Sequence, residues 1–179
     1  PSVPRICRVQ MRVALSEMEP VLGHIHHPGA WFGESGLLQE TDGLAEMRAA
    51  GTTRLCRISY NLFRALANRR PGIWEAFARL TSMIQSLAMS AANDLALRTS
   101  RKCLAVTLLR LSGRRSVLQG ASATDTMHAS QLDIASLANV SHSKTSLHLG
   151  ALVSKGLVQL EYARILLTDL EGLHRVIEE

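Results

Sequence analysis

Three histidines stand close together near the start of the 179-residue chain, at positions 24, 26 and 27. Alternate residues of a strand share a face, so His24 and His26 have the spacing to ligate a metal ion or haem. No acid or cysteine stands at ligand spacing, however, and Pro28 follows directly, which favours a solvated turn for His26 and His27. We therefore assign no metal ligand and no cofactor, and we keep a haem- or metal-dependent sensor that uses these histidines as an alternative.

The three cysteines, Cys7, Cys56 and Cys103, are odd in number and about fifty residues apart. This spacing fits neither a disulfide framework nor the closely spaced thiolates of an iron-sulfur site. Cys56 and Cys103 are predicted to be small core residues. The chain also lacks the GxSxG, P-loop and HExxH motifs and has no paired-carboxylate arrangement, so we predict that it is not an enzyme.

The chain holds 20 basic and 15 acidic residues, and 46% of its residues are hydrophobic. No stretch approaches the roughly 18 apolar residues that cross a bilayer, and the chain does not open on a signal segment, so a cytoplasmic location is expected. The positive charge is local, because residues 95–160 contain eight basic and only two acidic residues. Such a segment either attracts phosphate or forms a solvated helix face. Six of its basic residues precede the first acid, namely Arg98, Arg101, Lys102, Arg110, Arg114 and Arg115.

The first sixty residues show short apolar runs separated by polar, proline and glycine residues, a pattern that predicts strands. The runs are Ile6–Val9, Arg12–Leu15 and Val21–Ile25. Residues 47–60 are predicted to form another strand pair, and Asn61–Asn68 a short helix.

A long helical pattern follows Pro71, in which apolar residues recur at alternating spacings of four and three. This spacing is typical of a coiled-coil seam, so we predict that the helix pairs with a second copy of itself. A second helix is predicted over Arg101–Leu111, before an interdomain loop at residues 112–126 that is rich in small residues. We call the seam the dimer stripe, and it consists of Ile73, Phe77, Leu80, Ile84, Leu87 and Ala91.

The C-terminal third predicts two helices joined by a tight turn. Ser130 and Asp133 have the spacing of a capping box, and Ser141 is placed to cap the second helix. Asn139 falls where the turn needs a left-handed residue, a conformation that asparagine tolerates. The arrangement is a helix-turn-helix. Its inward-facing residues are predicted to be Ile134, Leu137 and Ala138 on the first helix and Thr145, Leu149 and Leu152 on the second.

Two further apolar runs follow this motif, Leu157–Leu160 and Ile165–Thr168, with polar residues Glu161–Arg164 between them. Strand, turn and strand in this position predict the wing of a winged helix. Asp169 then opens a final short acidic helix.

In this order of elements the chain resembles the cyclic-AMP receptor and FNR (Crp/Fnr) family of bacterial transcription regulators. Residues 28–38 are similar to the family's PGD-x-FGE motif, and residues 57–60 with Phe63 continue the match. In the C-terminal part, residues 101–111, 133–135 and 140–145 resemble the segment before the DNA-binding domain and its helix-turn-helix, and residues 156–158 resemble the entry to its wing.

The resemblance implies an α+β fold with three parts. Residues 1–70 would form a β-roll sensor domain that lacks its first strands, residues 71–111 a dimerisation helix and hinge, and residues 112–179 a winged helix-turn-helix DNA-binding domain. It also implies a homodimeric, sequence-specific regulator that binds double-stranded DNA at a pseudo-palindromic site. RNA polymerase is a further candidate partner, and no membrane is involved.

The resemblance also assigns the DNA contacts. His142, Ser143, Ser146 and Leu147 stand where the family's recognition helix meets base edges, Lys144 stands near phosphate, and Arg164 lies at the wing tip near the DNA backbone. These base contacts are small and weakly polar, so the target sequence should differ from that of relatives with Arg and Glu. The other alternative is a protein-interaction module without DNA readout, against which the positive central segment argues.

The cyclic-nucleotide pocket is predicted to be degenerate. In members that bind cyclic AMP, the FGE glycine and glutamate approach the ribose, and an Arg-Ser pair clamps the phosphate. Here the clamp is absent, and a buried phosphate without a cation would cost several kcal/mol, so we predict that the chain does not respond to cyclic AMP. The residues of this pocket are Gly33 and Glu34 at the FGE motif, Gly43 and Leu44 in place of the clamp, and Ala88 and Met89 in place of the adenine contacts.

Overall fold

The structure is a computed structural model that describes residues 9–13, 20–39, 45–115 and 124–179. It has mixed helix and sheet content, as the α+β prediction requires. Two compact units divide the chain, one formed by Pro1–Val21 and Ile25–Ser86, the other by Leu22–His24 and Leu87–Glu179. Cys7, Gly43 and Leu44 lie outside the described residues. In the described part of the chain, no helix is long and apolar enough to cross a membrane.

The N-terminal sheet has three strands, β1 (Val9–Val13), β2 (Val21–His26) and β3 (Ala45–Ala49), in the order β2-β1-β3. β1 and β3 are antiparallel. The prediction of a strand pair over residues 47–60 is wrong, because β3 ends at Ala49 and residues 50–59 form neither helix nor strand. Gly51 has a left-handed φ of 108°, and its carbonyl accepts a hydrogen bond from the Thr53 hydroxyl, so the chain turns away from the sheet.

Three helices follow in the first part of the chain, α1 (Glu34–Gln39), α2 (Tyr60–Arg69) and α3 (Gly72–Leu95). The short helix predicted over residues 61–68 and the long helix after Pro71 are therefore confirmed. Ser59 caps α2, because its side chain accepts a hydrogen bond from the backbone N–H of Leu62.

Part of the dimer stripe is covered within a single chain. Phe77 is buried with Phe63 and Ala67, and the Phe63 and Phe77 rings lie 4.7 Å apart between centroids. Ile73 and Leu80 pack against the same cluster. The first half of the stripe is thus core of this chain, whereas Ile84, Leu87 and Ala91 in the second half are half-buried.

The second unit contains four more helices and a small sheet. Its strands form an antiparallel sheet in the order β4-β6-β5. Thr126, the first residue of β4, falls at the end of the region that the sequence assigned to a loop, and Met127 lies just beyond it. The elements are α4 (Ser100–Leu111), β4 (Thr126–Met127), α5 (Gln131–Leu137), α6 (His142–Ser154), β5 (Val158–Glu161), β6 (Arg164–Leu167) and α7 (Leu170–Glu178).

Helix α4 is buried at every position from Cys103 to Leu111 and packs against α5, α6 and α7. Its Arg110 is therefore enclosed, and its Nε donates a hydrogen bond to Asp94 Oδ2 at 3.0 Å. Arg115 Nη2 lies 3.0 Å from the other Asp94 oxygen. Burial lowers the pKa of Arg110, and Asp94 opposes that effect. Because Asp94 is only 1% exposed, neither charge of the Asp94–Arg110 pair is compensated by water.

We expect Asp94→Ala to destabilise the second unit by about 3–5 kcal/mol, because it leaves the Arg110 charge buried without its partner. Glu75→Ala is a matched control on the same helix. This substitution removes an ion pair between Glu75 and Arg79, whose side chains are 69% and 77% exposed, respectively. It should therefore change the free energy of unfolding by at most about 1 kcal/mol. Urea unfolding of the full chain measures both variants. Equal losses of unfolding free energy in the two variants would show that the buried Asp94–Arg110 pair does not stabilise the unit.

Candidate nucleic-acid interface

The start of the helix-turn-helix has the capping box predicted from the sequence. The backbone N–H of Asp133 donates to Ser130 Oγ at 3.1 Å, and the N–H of Ser130 donates to Asp133 Oδ2 at 2.9 Å. Two otherwise unpaired N–H groups are satisfied in this way, which fixes where α5 begins.

The turn between α5 and α6 depends on Asn139, whose φ is +50°. The prediction of a left-handed residue there is confirmed. In this conformation the N–H of Val140 reaches back to the carbonyl of Ala135 at 3.0 Å, which closes the end of α5. Ser141 takes the N-cap position of α6, as predicted, although its side chain makes no capping hydrogen bond.

Helix α6 has one buried face and one exposed face. Thr145, Leu149 and Leu152 are almost completely buried, as predicted. The α6 residues predicted to contact DNA all lie on its exposed side, with Leu147 69% exposed. The exposed set is His142, Ser143, Lys144, Ser146 and Leu147.

The wing is a hairpin in which Glu161 pairs with Arg164, leaving Tyr162 and Ala163 as the turn. Ala163 has a left-handed φ of +52°. Tyr162 is 98% exposed at the tip. Arg164 is a half-buried side chain whose Nη1 lies 3.8 Å from a Glu161 carboxylate oxygen, so its charge is partly compensated within the wing.

Four of the six basic side chains at the start of the positive central segment have acidic partners. Arg110 and Arg115 face Asp94, Arg101 lies 2.8 Å from Glu179, and Arg114 lies 2.8 Å from Asp125. Among the described residues, only two of the six basic side chains have no acidic partner, Arg98 and Lys102. The four paired arginines are therefore neutralised within the unit, whereas the other four basic residues of the segment have no acidic partner among the described residues.

Two residues at this surface were missed by the sequence analysis, Tyr162 and Gln131. Tyr162 lies inside the predicted turn, so its exposure follows from the hairpin alone. The role of Gln131 has no local signal, because its side-chain partner is Ser146 on the next helix, which donates its hydroxyl to Gln131 Oε1 at 2.8 Å.

The histidine cluster lies at the end of the N-terminal sheet. His26 is the last residue of β2, not a turn residue, and its ring lies 5.3 Å from that of Phe32. Burial lowers the pKa of His26, with Glu34 opposing the effect. Within the described ranges, no three His, Cys, Asp or Glu side chains are placed to hold a metal ion.

The described cysteines differ from each other. Cys103 is buried, and its thiol donates to the Leu97 carbonyl at 3.3 Å. Burial raises its pKa, which makes it a poor thiolate nucleophile. Cys56 is exposed, so the prediction that it is a core residue is wrong. It lies in the irregular segment after β3, where the predicted strand that would have buried it does not form.

The predicted nucleotide-pocket residues are only partly described. Gly33 has a left-handed φ of +92° and leads into α1, where Glu34 is the first residue and its Oε1 accepts a weak hydrogen bond from the Ser35 hydroxyl. On α3, Ala88 is exposed and Met89 is 67% exposed.

Comparison with known proteins places the C-terminal domain in a family. The model of the Crp-like helix-turn-helix domain matches residues 103–176. No curated protein matches the chain.

Solved structures share the fold over nearly the whole chain. FixK2 from Bradyrhizobium japonicum is 21% identical with a TM-score of 0.76, over 96% of this chain and 84% of that one. TTHB099, a transcriptional regulator of the CRP family from Thermus thermophilus, is 19% identical with a TM-score of 0.66, over 98% and 86%. The c-di-GMP responsive global regulator CLP of Xanthomonas campestris is 20% identical with a TM-score of 0.66, over 92% and 82%.

Residues 103–176 therefore match a Crp-like helix-turn-helix domain, and nearly the whole chain shares the fold of solved structures that include a CRP-family transcriptional regulator. The resemblance predicted from the sequence is therefore confirmed.

Proposed function

We propose that the chain acts as a homodimer that reads a pseudo-palindromic DNA site with α6 and does not respond to cyclic AMP. The observation that carries the DNA assignment is the division of α6 into a buried face and an exposed face. The N-terminal turns of a recognition helix meet base edges in the major groove. In α6 these turns hold His142, Ser143 and Lys144, all exposed.

The electrostatics favour a small number of strong phosphate contacts. Lys144 is an exposed cation in the first turn of α6, and that turn holds no acidic residue. The unpaired N–H groups of a helix N-terminus add to the attraction that a lysine in the first turn exerts on phosphate. Base readout is then left to the uncharged or weakly basic His142 and Ser143.

We expect Lys144→Ala, present in both subunits, to flatten the slope of log affinity against log salt by about two, without changing which sequence is preferred. His142→Ala should instead relax the preference at particular base pairs by about 1–3 kcal/mol and leave the salt slope nearly intact. Fluorescence anisotropy over a salt series measures both.

Lys155→Ala is the matched control for Lys144→Ala, because Lys155 is an exposed lysine at the opposite end of α6. It should leave the slope close to that of the wild type. If Lys144→Ala alters sequence preference, or His142→Ala weakens binding to all DNAs equally, the recognition helix is assigned in the wrong orientation.

The dimer is proposed to form through the second half of the dimer stripe. Ile73, Phe77 and Leu80 already have partners in their own chain, whereas Ile84, Leu87 and Ala91 keep part of their surface in solvent. Met83 on the same helix is 37% exposed. A second copy of α3 would bury these side chains by the packing that the spacing of four and three specifies.

Leu87→Glu should yield monomers, because the new charge would be buried between two copies of α3 without a partner. Gln85→Glu adds the same charge two residues earlier at an exposed position and should remain dimeric. Sedimentation velocity measures the two species. A Leu87→Glu variant that sediments like the wild type would exclude this interface.

The absence of a cyclic-nucleotide response is supported by the sequence at the clamp and by the exposure of Met89 on α3. A buried phosphate needs a charge-assisted partner, and the residues in place of the clamp, Gly43 and Leu44, offer none. We propose that control comes through another ligand, a partner protein or the abundance of the regulator.

Calorimetric titration of the full chain with cyclic AMP and with cyclic GMP should therefore give no binding heat at micromolar concentration. A dissociation constant of order 1 μM for either nucleotide, which corresponds to a binding free energy of about −8 kcal/mol, would contradict the proposal.

A further inference from the structure

The exposed hydroxyl of Ser146 is already engaged within the chain. It donates a hydrogen bond to Gln131 Oε1 at 2.8 Å, although Ser146 is on α6 and Gln131 is the first residue of α5. One of the two acceptor positions of the Gln131 amide oxygen is therefore occupied. Its two N–H donors have no hydrogen-bond partner among the residues that the structure describes.

Gln131 also borders a groove between α5 and the wing. This groove has a volume of about 320 Å³ and is lined by Ala129, Ser130 and Gln131 on one side and by residues 160–165 of the wing on the other. The Gln131 side chain thus lies next to the wing and is hydrogen-bonded to the recognition helix.

The charged groups beside the groove are paired or capped. Glu161 lies 3.8 Å from Arg164, and the Asp133 carboxylate accepts the backbone N–H of Ser130 in the capping box. The charges beside the groove are therefore balanced, and the neutral amide of Gln131 is an unpaired donor on its α5 side.

We propose that Gln131 binds a DNA phosphate oxygen through its amide N–H, and that Ser146 is a positioning residue that holds the amide in this orientation. The proposal rests on the DNA-binding function proposed above. A phosphate oxygen only accepts hydrogen bonds and therefore fits the two N–H donors that the Gln131 amide leaves open. Adenine readout by glutamine needs both ends of the amide at once, and here Oε1 already accepts the Ser146 hydroxyl, so that only its second lone pair is open to a base.

Loss of a neutral phosphate contact at Gln131 would affect DNA binding differently from loss of a lysine contact or of a base contact. An uncharged donor displaces no counterion, so its loss leaves the salt slope unchanged. A phosphate contact carries no sequence information, so all DNAs are weakened alike. Two neutral hydrogen bonds per dimer correspond to roughly a tenfold loss of affinity.

The test measures binding of the full chain by fluorescence anisotropy to two probes, a mixed-sequence duplex at low salt and a duplex enriched from a random pool. Gln131→Ala should weaken both by about tenfold at an unchanged salt slope. Ser146→Ala should give a smaller loss of the same kind, and Ser146→Thr, which keeps the hydroxyl, should return affinity to within about twofold of the wild type. The double variant Gln131→Ala, Ser146→Ala should be no weaker than Gln131→Ala alone.

Two control variants accompany these. Gln39→Ala removes an exposed glutamine on α1, and Ser154→Ala removes a serine at the far end of α6 whose hydroxyl donates to the Ala151 carbonyl. Both should bind like the wild type.

Several outcomes would overturn the inference. The inference is overturned if Gln131→Ala binds DNA with unchanged affinity or changes its base preference. It is also overturned if the losses in the double variant are additive. None of these results would contradict DNA binding itself. A wild-type chain that binds neither probe would overturn the proposed function as well, so the two failures are distinguishable.

Discussion

The second unit depends on one constraint, the need to keep a charged arginine inside a helix that is buried on every side. Helix α4 has no solvent-exposed face between Cys103 and Leu111, and α5, α6 and α7 all pack on it. Asp94, near the end of α3, supplies a buried carboxylate 3.0 Å from Arg110 that offsets the cost of burying its charge. The pair therefore joins the end of α3 to the centre of the domain that carries α6.

The exposed face of α6 is positioned on that core by local backbone interactions. The capping box fixes the start of α5, and the left-handed Asn139 sets the turn into α6. Once the buried face of α6 packs inward at Thr145 and Leu149, the helix geometry leaves no choice about which residues face solvent. The packing of the buried face of α6 thus determines which residues form its exposed face.

Much of this surface was predictable from the sequence because its signals are local. Capping residues, a turn asparagine and apolar periodicity all act within four or five residues, and the structure has them where the sequence predicts. The pairings that span the chain were not predictable. The basic segment looked open in the sequence, yet Arg110 and Arg115 share Asp94. The Ser146–Gln131 bond is likewise set by the angle between two helices.

The wrong predictions also arise because local sequence patterns do not specify contacts with distant residues. A strand pair was predicted over residues 47–60 from β-forming side chains, but the bend at Gly51 takes the chain out of the sheet. Cys56 is exposed for the same reason. The dimer stripe shows a related ambiguity, since Phe77 satisfies the seam spacing and is nevertheless buried against Phe63 in its own chain. Periodicity identifies an apolar face but does not identify its partner.

The central claim is that the chain reads DNA as a dimer through α6. Its most direct test is selection of bound duplexes from a random DNA pool by the wild-type chain, followed by sequencing. The account predicts an enriched pseudo-palindrome whose half-sites lie one helical turn apart, roughly 34–36 Å. Enrichment of a single half-site, or no enrichment over the starting pool, would contradict it.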